Sequence, residues 1–228
     1  ENPRIINKFS GVFTYDHPET FIKERCSFYH MQTIPGTPNS YDIIGDILIL
    51  EISEGYEKNE KKIGKHFLEK HKNIKVVLKK AGKHSGKHRT QKLKIIAGEK
   101  RKTTQYKENG IVLNLNVENS YFSPRSGTER QRIAKLVKPG EEVLVMFSGV
   151  APYPLVMARL SKPKRVYGIE INPKAHDFAK QNVILNKFQD VIKLYKGDVR
   201  KVLPKLKKKF DRIVMPLPKT AEKFLPLA

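Results

Sequence analysis

Residues 141–173, EEVLVMFSGVAPYPLVMARLSKPKRVYGIEINP, limit what this chain can fold into more than any other stretch. Val143, Leu144, Val145, Met146 and Phe147 form a short continuous apolar run, the pattern of a parallel strand buried on both faces. Ser148-Gly149-Val150 makes a turn, and Pro152 and Pro154 follow where the first turn of a helix tolerates proline. Residues 166–169 are a second apolar strand, and Glu170 closes it. An acid at the end of the second strand of such a unit is placed to accept both hydroxyls of a ribose. The stretch therefore reads as a strand–helix–strand cradle for a nucleoside-containing ligand. An ordinary βαβ unit with a surface glutamate would look the same, so the flanking sequence has to decide.

Downstream the alternation continues. Asn172 is a candidate N-cap with Pro173 at the first helical position, and Ala175, Phe178, Ala179 and Val183 form an apolar stripe to about Asn186. Residues 192–195 predict a third strand ending in Gly197-Asp198. Val199, Val202, Leu203 and Leu206 mark the next helix face, and residues 210–215 a fourth strand. Pro216-Leu217-Pro218 is a rigid loop at its end, and residues 221–227 open a further helix. Leu155 and Met157 are expected in the core, and Lys205 to Lys209 at a solvated helix end.

Upstream, residues 1–39 show no clear period and are broken by Pro18, Pro35 and Pro38, which predicts a lead-in with a linker at 33–38. Residues 40–120 read as a small α+β domain. Residues 41–52 are strand-like with Gly45 interrupting, 61–72 helical with Ile63 and Phe67 inward, and 74–78, 93–97 and 111–117 strands. Between the runs 74–78 and 93–97 lies a basic loop, Lys79 to Thr90, holding Lys83, Lys87, His88 and Arg89 beside glycines. Lysine and arginine on flexible backbone suit phosphate contact. The whole chain agrees: 45 Lys+Arg against 23 Asp+Glu leave a formal charge of +22, a strong attraction for polyanions.

Cys26 is the only cysteine, which excludes an internal disulfide and a cysteine zinc cluster and fits a reducing cytoplasm. His66, His71, His84 and His88 have no third ligand at metal spacing and are read as RNA-facing or surface residues. No apolar run is long enough to span a membrane, and no signal peptide is visible. The first residue is Glu, not Met, so a fragment or processed chain is expected. Tyr121-Phe122-Ser123-Pro124-Arg125 leads into a short helix with a capping-box pattern at Thr128 and Gln131 and a stripe of Ile133, Leu136 and Val137. Glu129 falls in its first turn, where a carboxylate suits the helix dipole.

An acid after strand two and an aspartate after strand three resemble the class I methyltransferase fold. The segments SYDIIGDILILE, GKHRTQKLKIIAGE, TQYKENGIVLNLNVENSYFSPRSGTERQRIAKLVKPGEEVLVMFSGV, IEINPKAHDFAKQNVILNK and DRIVMPLPKTAEKFL narrow this. Together they resemble the archaeal and eukaryotic tRNA guanine-N1 methyltransferases, which methylate the guanosine immediately 3′ of the anticodon, position 37. The resemblance implies a Rossmann-like domain at 121–228 whose parallel sheet is incomplete at the C-terminus, preceded by a tRNA-binding α+β domain. It implies S-adenosylmethionine held by Tyr121, Phe122, Phe147, Gly149, Val150, Glu170, Ile171, Asp198, Pro216 and Pro218. It implies Glu129 as the base that takes the guanine N1 proton and Arg89 as the cation steadying the guanine oxygen. Lys83, Lys87, His88, Arg89 and Arg125 would contact the tRNA, and the protein would act as a monomer. The chain departs from the family at Val145, where Asp is usual, at Pro216, where Asn is usual, and at Ala151, where Gly is usual. Two other readings stand beside this one: the related wybutosine-pathway aminocarboxypropyltransferase, and a non-catalytic tRNA-binding relative.

Overall fold

The apolar run that opens the cradle becomes β7 (Glu142–Met146), and the chain then alternates as its periodicity predicts. Helix α3 (Pro152–Leu160) leads to β8 (Arg165–Glu170), α4 (Pro173–Leu185) to β9 (Ile192–Lys196), and α5 (Val199–Leu206) to β10 (Arg212–Val214). The four strands form one parallel sheet in the order β10-β7-β8-β9, with Val145 opposite Gly168 on one side and Val214 on the other. Successive strands step outward from β7 to β9, and β10 then returns to the other side of β7. The sheet thus reverses direction between β7 and β10, and in open α/β sheets that reversal leaves a crevice beyond the carboxyl ends of the strands. The computed structural model describes residues 34–82, 86, 88–216 and 221–227. Residues 35–228 form one compact unit, and of the predicted lead-in 1–39 the residues 1–33 lie outside the described residues.

A second sheet precedes this one. Its strands β1 (Tyr41–Ile44), β2 (Ile47–Leu50), β3 (Val76–Lys80) and β4 (Leu93–Gly98) lie in chain order, with β2 and β3 parallel and the outer pairs antiparallel. Helix α1 (Glu60–Lys70) makes the crossover from β2 to β3 and buries Ile63 and Phe67. The strand-like run 41–52 is in fact a hairpin that turns at Gly45. Its φ is +60°, and a Cβ there would stand 2.2 Å from the Gln105 carbonyl oxygen, so only glycine fits. His71, expected at the surface, instead packs against Tyr41 with its Nε2 3.1 Å from the tyrosine hydroxyl.

Strand β5 (Thr103–Glu108) was not expected from the pattern. It pairs antiparallel with β6 (Ile111–Asn116) as a separate hairpin. Ile111, Leu113 and Leu115 of β6 are buried and join the cores of the two sheets into one cluster. The outer edge of β6 is closed by side chains of α4. Asn186 Oδ1 accepts from the Val112 N–H at 2.9 Å and its Nδ2 donates to the Val112 carbonyl at 2.7 Å. Asn182 does the same for Asn114, at 2.7 and 3.0 Å, and its Nδ2 also donates to the Val150 carbonyl at 3.0 Å. The spacing explains the fit. Residues two apart on a strand advance roughly 6.6 Å and residues four apart on a helix about 6 Å, so two asparagines can serve as a neighbouring strand. The hairpin, expected within the 40–120 domain, is therefore hydrogen-bonded to a helix of the parallel sheet.

The short helix α2 (Gly127–Lys135) begins one residue before the capping box expected at Thr128. Its N-cap is Ser126, with no side-chain capping bond, because a 3-10 turn at Pro124–Ser126 feeds straight into it. What fastens α2 is Arg130. Its Nη2 donates to Glu108 Oε2 at 2.6 Å and to the Ser123 carbonyl at 3.1 Å, its Nε bonds Glu108 Oε1, and its guanidinium lies 5.0 Å from the Phe122 ring centre. Arg130 and Glu108 are both almost fully buried, at 3% and 6% side-chain exposure.

Two stability measurements follow. Asn182→Ala removes the partner of three backbone groups, the Val150 carbonyl fully buried and the two of Asn114 half-buried, and should cost about 2–4 kcal/mol in urea unfolding. Arg130→Met leaves Glu108 charged and alone and should cost about 3–5 kcal/mol, most of it recovered when Glu108→Met is added. Additive losses in the double variant would show that the pair does not act as a unit.

Candidate active site

The crevice at the strand reversal is a real cavity of about 560 Å³. The end of β7 contributes Phe147, Ser148 and Gly149, and β10 with the residues after it contributes Arg212 to Pro216. Tyr121, Phe122 and Ser123 and the first turn of α2 form another wall, and Pro152 and Tyr153 of α3 close it. A smaller cavity of about 90 Å³ adjoins it, lined by His88, Arg89, Tyr121, Phe147, Gly149, Glu170, Ile171, Asn172, Ala175 and Pro216. Tyr121, Phe147, Gly149 and Pro216 belong to both. The two spaces therefore meet around one aromatic and glycine rim.

Glu170 is the chemical centre of the smaller cavity. It is 8% exposed, and burial pushes its carboxyl above the usual carboxylate range. Its Oε2 accepts from the Gly149 N–H and its Oε1 from the Asn172 N–H, each at 2.7 Å. Each oxygen keeps a further lone pair, which suits two neighbouring hydroxyl donors. Gly149 has φ +56°, a backbone state that brings its N–H to the carboxylate at no steric cost. Asn172 caps α4 through Oδ1, which accepts from Lys174 N at 3.1 Å, while its Nδ2 donates to the Asn119 carbonyl at 2.7 Å. The acid, the glycine turn and the Tyr121 segment are thus locked together. These residues fit a bound nucleoside: a buried acceptor pair, open backbone at Gly149, and apolar walls from Phe147, Ile171 and Pro216.

Glu129 lines the larger cavity, and Arg89 the smaller one. The predicted base and the predicted cation, forty residues apart in the chain, therefore stand at adjoining spaces. Arg89 has φ +50° and its N–H donates to the Gly86 carbonyl at 3.1 Å, so a tight turn of the basic loop presents it. Glu129 is in a bidentate ion pair. Arg132 Nε donates to its Oε2 at 2.7 Å and Arg132 Nη2 to its Oε1 at 2.8 Å, which holds the carboxyl below the usual carboxylate range.

Several predicted residues behave differently. Val150 is fully buried, so its side chain cannot meet a ligand, and only its carbonyl has a role, as acceptor for Asn182. Asp198 caps α5 and is ion-paired with Arg200, whose Nη2 lies 2.6 Å from its Oδ2, and it is absent from the lining of both cavities. Arg125 pairs with Asp42 of β1 at 2.7 Å, so it braces the 3-10 turn against the first sheet. Leu136, placed in the apolar stripe of α2, is 48% exposed and edges the larger cavity. Lys83, Lys87 and Pro218 lie outside the described residues. Tyr153 and Arg212 were not anticipated. Tyr153 follows a proline in the first turn of α3, and burial pushes its hydroxyl up. Arg212 opens β10 and pairs with Glu141 at 3.0 Å.

Of the departures from the family pattern, Pro216 lines both cavities, while Val145 and Ala151 are fully buried. Val145 lies on β7, between β8 and β10 in the sheet, and belongs to the main hydrophobic core. Ala151 takes φ +69° at the N-cap of α3, a left-handed state that usually favours glycine. Pro216 stands at the rim shared by both cavities and has a carbonyl to offer there but no donor.

A family model described as the TRM5/TYW2 methyltransferase domain matches residues 104–228, and one described as the TYW2 N-terminal domain matches residues 29–102. The boundary between them falls at the start of the β5–β6 hairpin. The chain is 44% identical over 188 residues to the tRNA (guanine(37)-N(1))-methyltransferase Trm5b of Pyrococcus abyssi, covering 82% of this chain and 55% of that one. Its structure is similar to that of aTrm5 in complex with tRNALeu, with a TM-score of 0.76 and 37% identity over 90% of this chain and 60% of the other. It is also similar to Methanocaldococcus jannaschii Trm5 in complex with adenosine, with a TM-score of 0.72 and 35% identity over 90% and 60% of the two chains. The chain spans about half the length of the curated relatives it matches. With the parallel sheet, the cavity holding Glu170 at its strand ends and these matches together, the chain belongs to the TRM5/TYW2 methyltransferase-domain family.

Proposed function

We propose that this chain is the catalytic portion of a tRNA methyltransferase that uses S-adenosylmethionine to methylate N1 of the guanosine at position 37. The observation that supports this most is the meeting of two cavities around Tyr121, Phe147, Gly149 and Pro216, one lined by Glu129 and the other by Arg89. Guanine N1 carries a proton in its neutral form and is a poor nucleophile. Glu129 would take that proton, and the charge left on the carbonyl oxygen suits the guanidinium of Arg89. S-adenosylmethionine, when bound, supplies an electrophilic methyl group. Glu170 would hold its ribose, with Tyr121, Phe147 and Ile171 as apolar walls. The walls leave space for a base only if it is turned out of its stack, a step that tRNA-modifying enzymes commonly require. The basic loop and the formal charge of +22 favour the polyanionic partner.

One feature favours a second reading. Pro216 offers no side-chain amide at the shared rim, which removes a group that would orient the guanine edge. Its loss leans toward the related transfer of an aminocarboxypropyl group to a wyosine precursor. S-adenosylmethionine labelled separately in the methyl and carboxyl carbons separates the two, because only one label reaches the tRNA in each reaction.

Methyl label should pass to transcript tRNA bearing G at position 37 and not to the same tRNA bearing A. Absence of label from the G-containing tRNA, at low salt and saturating cofactor, would count against the proposal. Glu129→Ala should slow single-turnover methyl transfer by about 10²- to 10⁴-fold, the usual contribution of a positioned base. An unchanged rate would return Glu129 to the role of a helix-start charge. Glu170→Ala should weaken S-adenosylmethionine binding in calorimetry by roughly 10- to 150-fold, as expected for losing hydrogen bonds to a charged acceptor. Equal affinity would mean that the ribose lies elsewhere.

A further inference from the structure

We propose that Arg132 masks Glu129 in the free protein and exchanges it for a backbone phosphate when RNA docks, so that substrate binding uncovers the base. This inference rests on the function proposed above. It starts from a conflict in the geometry. Both oxygens of the Glu129 carboxylate accept from Arg132, at 2.7 and 2.8 Å. Each oxygen keeps a further lone pair, but a carboxylate gripped by a guanidinium is a weaker base than a solvated one. Release from Arg132 would make Glu129 the stronger base.

The surroundings favour departure. Arg132 is 61% exposed and Glu129 49%, so the pair sits at the mouth of the cavity and not in its floor. An exposed pair of this kind is weak and easily traded. The two cations that line the larger cavity are already engaged. Arg130, two residues away, is buried on Glu108, and Arg212 on the far wall is held by Glu141. From α3, Tyr153 faces the same space with its hydroxyl pushed up by burial. A nucleotide whose base enters the cavity keeps its phosphates at the mouth. The two free oxygens of a phosphodiester offer a guanidinium a bidentate target, as does the carboxylate they would replace. The exchange conserves charge: one anion leaves Arg132 and another arrives, while Glu129 is released from its cation.

Linkage makes the exchange measurable without catalysis. If RNA and Glu129 compete for Arg132, removing the carboxylate charge must tighten RNA binding through Arg132. Glu129→Gln should bind transcript tRNA with G at position 37 about three- to tenfold more tightly than wild type, beyond any general gain from losing a negative charge. In the Arg132→Ala background that specific gain should vanish. Arg132→Ala alone should also flatten the salt dependence of tRNA binding by roughly one phosphate contact. A cycle with no coupling between the two positions, or a salt slope equal to wild type, would overturn the proposal. The readout is binding alone. A protein that shows the coupling yet transfers no methyl group would therefore sink the function proposed above and leave the exchange standing.

Discussion

The pair between Glu108 and Arg130 fastens α2 to the β5–β6 hairpin. Glu108 ends β5, and Arg130 is the residue after the proposed base. Burying two charges is costly unless each is fully bonded, and here the geometry meets that condition with two bonds to the carboxylate, one to the Ser123 carbonyl, and the Phe122 ring over the guanidinium. The consequence is positional. With Arg130 fixed inward, the neighbouring Glu129 must face the cavity and Arg132 must face out. The buried pair thus sets which side of α2 meets the ligand, and the exposed pair beside it can be traded.

The same logic of buried polar groups recurs at the other seams. Asn182 and Asn186 stand in for a strand along β6, and Asn182 reaches the Val150 carbonyl of the glycine turn. Glu170 joins that turn to the start of α4, and Asn172 joins α4 to Asn119 just before the aromatic rim. Helix, hairpin, turn and rim are consequently one hydrogen-bonded assembly. That rigidity has a use: a methyl group moves only between atoms already aligned, and misplacement by about 1 Å can cost a hundredfold in rate.

Much of this was legible in residue order and some was not. The buried strands β7 and β8 announce themselves as apolar runs, and Asn172-Pro173 marks the start of α4 because its capping chemistry is local. Glu170 could be placed because the end of a second strand has only one position relative to the crevice. β5 was missed because Thr103 to Glu108 has no apolar alternation; only Thr104 is buried, and its pairing with β6 decides its shape. The partners of Arg130 and Asn182 lie 22 and 68 residues away, beyond any local pattern. The role of Asp198 as the cap of α5, paired with Arg200 two residues on, was not read from the sequence. The contact of Glu129 with Arg132, three residues on along a helix, was within reach of helical spacing alone.

A structure with a flipped guanosine and a cofactor analogue bound tests the central claim most directly. It should show the Glu129 carboxylate within about 2.6–3.2 Å of guanine N1, and the Arg89 guanidinium on the carbonyl oxygen of the same base. A guanine seated in the larger cavity with Glu129 still closed on Arg132, or with Arg89 turned away from the base, would contradict it.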